Sequence, residues 1–194
     1  MESLLQQDSS KVIGIGEIGL DFSHKNRNTP MVQELVFAKQ LEIANGMDLP
    51  VVLHFRDSYT KGLDILKTVL NPLTPIHVHC FTSDWNMAQD FMSNFKNCYF
   101  GFTGLITYPS AENVRSVVTK IPHEFLLLET DAPFFNMSKS NSRSISLPQD
   151  IPIIGAELMK LKGGTNLDDV LTQNIVNSKK VYSKFFQNLE HDKN

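Results

Sequence analysis

Cysteine is scarce in this 194-residue chain: Cys80 and Cys98 are the only two, too few for a disulfide framework. That favours a reducing compartment, and the sequence predicts a cytoplasmic or nuclear protein. An excess of positive charge is also missing, since 18 basic side chains face 21 acidic ones and the formal charge is −3. A protein that held nucleic acid by general electrostatics would be basic, so any such role must rest on a local site. No apolar run approaches the roughly 18 residues of a membrane span. A transmembrane reading is excluded and no membrane partner is expected. Residues 1–8 lack the basic-then-apolar order of a secretory signal. What is present is 41% hydrophobic and 20% charged residues, in a length suited to one domain with a sizeable core.

Short apolar runs rich in β-branched residues alternate with longer segments of helical spacing, which points to an α/β fold with parallel strands. The strand candidates are residues 12–16, 51–55, 76–80, 99–103 and 125–129. A first helix is expected between Thr29-Pro30, a cap residue and a proline suited to the first turn, and Gly46, where it should stop. Its apolar side is read as Leu35, Ala38, Leu41 and Ile43. Further helices are expected over 59–70, 85–95, 111–121, 153–161 and 167–185. Residues 136–146, rich in Ser and Asn, read as a flexible surface loop. The whole is expected to form one domain over residues 1–189, with 190–194 as a frayed tail.

Side chains able to do chemistry gather at the C-terminal ends of these strands, where parallel α/β folds place their sites. Glu17 follows the first strand, on the same face as Ile13 and Ile15 by period-two alternation. His54 ends the second strand with Arg56 just beyond it, His79 ends the third, and Asp131 follows the fifth. Any one of them alone reads as a cap, a turn former or a satisfied core polar group. Four together, two imidazoles and two carboxylates, read as a metal site suited to Zn²⁺, Mn²⁺ or Mg²⁺.

These residues sit in four motifs: Gly16-Glu17-Ile18-Gly19-Leu20-Asp21-Phe22, His54-Phe55-Arg56-Asp57, His79-Cys80-Phe81-Thr82, and Leu128-Glu129-Thr130-Asp131-Ala132-Pro133. In that order they resemble the TatD family of metal-dependent deoxyribonucleases, and Asn177-Ser178-Lys179-Lys180-Val181-Tyr182 resembles the family's C-terminal helix in weakened form. Gly101-Phe102-Thr103 and Thr107-Tyr108 are most similar to its eukaryotic TatD domain-containing branch. The resemblance implies a TIM (β/α)₈ barrel with two divalent metal ions at its C-terminal mouth, hydrolysing phosphodiesters in DNA. It implies Glu17 as the carboxylate bridging both metals, and His54 and His79 as ligands of the second. Asp131 would be a ligand of the first metal and would orient or deprotonate the attacking water. Paired cations would neutralise phosphate charge, which is how an acidic protein acts on a polyanion.

The chain also departs from the family pattern. No histidine precedes Glu17, whereas the family's first strand carries an Asp-x-His-x-His motif. Sixteen residues precede Glu17, where about three βα units of roughly 30 residues each are expected. The barrel is therefore expected to be incomplete, with about five of eight strands and the first three missing. His77 and His79 form a His-x-His pair roughly 6.6–6.8 Å apart along a strand, which would make His77 a ligand in place of the missing motif. The pair follows the glutamate motif instead of preceding it, however, and the favoured reading puts His77 one layer deeper in the interior. There it serves, like Glu129 below Asp131, in a supporting role. Arg56 is read as meeting the DNA backbone or pairing with Asp57. His24 lines the mouth or faces solvent, and Arg143 contacts phosphate or is a solvated loop arginine.

Two other readings compete with the nuclease. One is a catalytically impaired fragment or interaction module with a single metal site of Glu17, His54 and His79, whose open sheet edges promote association. The other keeps the barrel for amide, lactone or phosphotriester hydrolysis.

Overall fold

The computed structural model describes residues 11–23, 25–26, 28–137 and 145–191. Its strands and helices are, in order, β1 (Ile15–Asp21), α1 (Pro30–Met47), β2 (Val51–Arg56), α2 (Tyr59–Val69), β3 (Ile76–Val78), α3 (Trp85–Asn94), β4 (Cys98–Phe102), α4 (Glu112–Lys120), β5 (Leu126–Leu128), α5 (Ile151–Leu161), α6 (Leu167–Val181) and α7 (Ser183–His191). The fold is α/β and the strand ladders are parallel. The chain gathers into two compact units, one of residues 1–79, 91–98 and 178–194, the other of 80–90 and 99–177.

In the first unit β2 pairs with β1 on one side and β3 on the other, in the registers Ile18↔Leu53 and Val52↔His77. The first strand begins three residues later than its apolar run suggests, at Ile15, and continues to Asp21 opposite Arg56. Its register shifts between Ile15 and Ile18. Ile15, Ile18 and Leu20 are buried while Glu17 is exposed, so Glu17 does not share a face with Ile15 as strict alternation requires. Two glycines allow the close approach of β1 to β2. A Cβ on Gly16 would stand 2.5 Å from the Val52 Cβ, and one on Gly19, at φ 150°, would stand 1.9 Å from the His54 carbonyl oxygen.

Helix α1 buries Phe37, Leu41 and Ala44, with the Phe37 ring edge-on to Phe55 at 5.7 Å. Leu35, expected inward, is 71% exposed and shares an outward apolar face with Met31, Val32 and Val36. The helix is apolar on most sides, so spacing alone does not choose its inner face. Thr29 makes no side-chain cap bond, and the helix passes through Gly46 to stop at Asp48, which takes the left-handed conformation at φ 50°. The Asp48 N–H donates to the Ala44 and Asn45 carbonyls there, a closure glycine more often provides.

The second unit pairs β4 with β5 from Phe100↔Leu126 to Phe102↔Leu128. The edge of β5 away from β4 is not left bare, contrary to the expectation of open edges. Asn174 accepts the Leu128 N–H at 2.8 Å, and the Asn177 amide donates to the Leu126 and His123 carbonyls at 2.7 and 2.9 Å. Two side-chain amides of α6 thus supply part of the bonding that a neighbouring strand would give. A Cβ on Gly155 would stand 3.2–3.3 Å from side-chain atoms of Leu167, Leu171 and Leu128, so the glycine leaves room for these leucines against α5. The Lys162 ammonium donates to the Val118 and Ile121 carbonyls at 3.0 and 2.7 Å and closes the C-terminal end of α4. The single helix expected over 167–185 is two helices, α6 and α7, divided at Tyr182. Helix α7 reaches His191, and among the described residues no helix is long and apolar enough to cross a membrane.

Candidate metal centre

Three of the expected ligands meet in the first unit. Ligand atoms of Glu17, His54 and His79, on or next to β1, β2 and β3, all lie within 4.8 Å of one another. Glu17 Oε2 is 3.7 Å from His54 Nδ1 and 3.8 Å from His79 Nε2. Both separations exceed hydrogen-bonding reach. The donors converge on one point rather than bonding to each other. A cation held at about 2.0–2.2 Å from nitrogen and oxygen would bring its donors to roughly 3.0–3.6 Å apart, so a small inward movement would let all three side chains reach one cation. The His79 side chain is 8% exposed, His54 40% and Glu17 52%. The cluster is therefore anchored on its buried side and open to solvent on the other.

The backbone explains these placements. In β2 the burial alternates, with Val51, Leu53 and Phe55 in the core and Val52 and His54 half-buried on the opposite side. His54 lies opposite Gly19, whose missing side chain lets the strands meet there. His79 follows the three-residue β3, and its N–H still donates to the Leu53 carbonyl at 2.9 Å. At Cys80 the chain turns left-handed, φ 45°, and the Glu129 carboxylate accepts the Cys80 N–H. Glu129 thereby holds the peptide N–H at Cys80. His77 lies outside the ligand cluster. It is buried beneath His79 with ring centroids 6.4 Å apart, and its Nδ1 is 2.7 Å from the Tyr182 hydroxyl.

Arg56 is exposed at the end of β2, and its charge acts on Asp21, its register partner across the ladder. Burial of Asp21 raises its pKa, but hydrogen bonds from Ser23 and Asn26 and the Arg56 charge outweigh that and hold it below the ordinary value. Asp131 belongs to the second unit and is not a member of the three-residue cluster. It takes φ 51° after β5, and its carbonyl accepts the Phe134 N–H at 2.8 Å in a tight turn. His24 and Arg143 lie outside the described residues. Sequence reasoning assigned no role to Tyr182, Asn174 or Asn177; the motif from Asn177 to Tyr182 marked two of them, and no sequence signal marked Asn174.

A family model described as TatD related DNase matches residues 1–183. The chain belongs to the TatD family. A TatD homolog of Escherichia coli K12, YJJV, has the same fold with a TM-score of 0.84 and 30% identity, covering 94% of this chain and 68% of that one. The human 3′-5′ RNA nuclease TATDN2 is 38% identical over 125 residues, 64% of this chain and 16% of that protein. A metal-dependent hydrolase of Bacillus subtilis, YabD, is 30% identical over 172 residues, 89% of this chain and 66% of that protein. The chain thus spans only part of these relatives, from 16% of TATDN2 to 66% of YabD and 68% of YJJV.

Proposed function

We propose that this TatD chain hydrolyses phosphodiester bonds of nucleic acid with a divalent cation held by Glu17, His54 and His79. The observation that carries the reading is the convergence of one carboxylate and two imidazoles within 4.8 Å, open to solvent on one side. Three protein donors with a remaining open position are the pattern of a catalytic rather than a structural site. Mixed oxygen and nitrogen donors suit Zn²⁺ or Mn²⁺, with Mg²⁺ as the harder alternative. When bound, the cation supplies Lewis acidity toward a phosphoryl oxygen and makes its water a stronger acid. Buried His79 would anchor the cation and exposed Glu17 would hold it from the solvent side. Arg56, exposed at the end of β2 in the same unit, would face the phosphate backbone. The family description names DNA and the human relative's name RNA, and both support a nucleic-acid substrate.

A second reading draws on the same cluster. Three donors hold one cation where the family motifs imply two, which favours a single weak metal site and slow turnover. Both readings are tested by incubating the chain with 5′-labelled single-stranded DNA and RNA and with small esters, in Mg²⁺, Mn²⁺ or Zn²⁺. Shortening of the oligonucleotides that falls at least 100-fold in Glu17→Gln supports hydrolysis at this site. Metal binding to wild type with uncut oligonucleotides leaves the second reading standing and removes the first. Cleavage of esters alone assigns a different hydrolase reaction.

A further inference from the structure

We propose that Tyr182 and His77 form a positioning pair that holds the His79 imidazole in its metal-facing orientation, so that the junction of the last two helices is part of the metal site. This rests on the reading of Glu17, His54 and His79 as a cation site. The strand that carries His79 is short. Only Ile76, His77 and Val78 are in β3, and immediately after His79 the chain turns left-handed at Cys80. The backbone of His79 is held by its bond to Leu53, yet its ring extends beyond the last paired residue of the strand. Residues 77 and 79 share a strand face, and the two rings meet at 6.4 Å with an interplanar angle of 75°. The His77 ring therefore forms the floor on which His79 rests.

That floor is itself fixed from below. His77 Nδ1 and the Tyr182 hydroxyl are joined by a 2.7 Å hydrogen bond across 105 residues of chain, and the two rings meet at 6.2 Å. Tyr182 sits between α6 and α7, next to Val181, which is 1% exposed. Its ring lies beside Gly14, just before β1. One hydroxyl thus links the helix junction to the residue beneath a proposed ligand. Ligands held by ordered neighbours bind metal more tightly, and removing such neighbours costs about 10–100-fold in affinity.

The test uses the 194-residue chain, Mn²⁺ alone as probe, and the variants Tyr182→Phe and His77→Gln. Asn45→Ala is the control, because it removes side-chain bonds to Val69 and Asn71 within the same unit but away from the cluster. Mn²⁺ affinity is read by electron paramagnetic resonance. Imidazole ¹⁵N spectra of the metal-free proteins report the order of the His79 ring. The expected result is a roughly tenfold loss of Mn²⁺ affinity in each variant, no further loss in the double variant, and a broadened His79 signal. Asn45→Ala should keep wild-type affinity even if its stability falls. Wild-type affinity and a sharp His79 signal in Tyr182→Phe overturn the inference. So does an equal affinity loss in Asn45→Ala, which would show a general stability effect. A wild-type chain that takes up no Mn²⁺ removes the cation reading, and the imidazole spectra alone then decide whether the pair orders His79.

Discussion

Glu17 turns toward the two histidines because β1 shifts register after Ile15, and the glycines on either side of it make that shift sterically possible. The identities of Glu17, His54 and His79 were legible in the sequence as ligand-type residues on successive strands. The placement of Arg56 was not, because the β1–β2 register brings Asp21 opposite it. Asp21 is a residue whose contribution depends on pH. Its Oδ1 accepts the Ser23 N–H at 2.9 Å and its Oδ2 the Asn26 amide at 2.8 Å. Its folded pKa lies below the unfolded value. The stability it adds is therefore present above the unfolded carboxylate pKa of about 3.9 and is lost as pH falls through the folded value. Asp21→Asn is expected to cost about 1 kcal/mol at pH 7, with the gap from wild type closing below about pH 4. Urea unfolding at pH 7 and pH 3 checks this, and an equal gap at both would show that the carboxylate charge is not involved.

Among the elements, α6 does work that periodicity does not disclose. Its Asn174 and Asn177 hold the outer edge of β5 through backbone groups, and Asn177 is fully buried. Asparagine at these positions stands out in sequence only through the motif around Asn177, since its partners lie 51 and 54 residues away. Asn177→Ala leaves the Leu126 and His123 carbonyls without the amide they accept, and is expected to destabilise the protein by about 2–3 kcal/mol. Denaturant midpoints at constant m-value measure it, and a loss below about 0.5 kcal/mol would mean that water replaces the amide. Helix α1 shows the converse limit. Its existence was clear from capping and composition, but its buried face was misread because apolar residues surround most of the helix.

At the scale of the whole molecule, cation binding and folding should be linked. Glu17, His54 and His79 lie on or next to three strands, and the unfolded chain does not hold them together. A cation at 100 times its dissociation constant stabilises the folded state by about 2.7 kcal/mol. For a chain of this size that is an increase in Tm of roughly 5–10 °C. Thermal melts with and without Mn²⁺ should show the rise in wild type and its absence in Glu17→Gln. An equal rise in both would place the bound ion elsewhere.

The sequence alone determined the α/β class, the family, and three residues that meet in one cluster, because alternating hydrophobicity and short motifs are local properties. Tertiary structure decided the rest. It set the register shift that exposes Glu17, the Asp21–Arg56 facing, the Tyr182–His77 bond and the amides that cover β5. The physical reason is common to all four. Each depends on distances of a few ångströms between residues far apart in the chain, and composition and spacing carry no record of those distances.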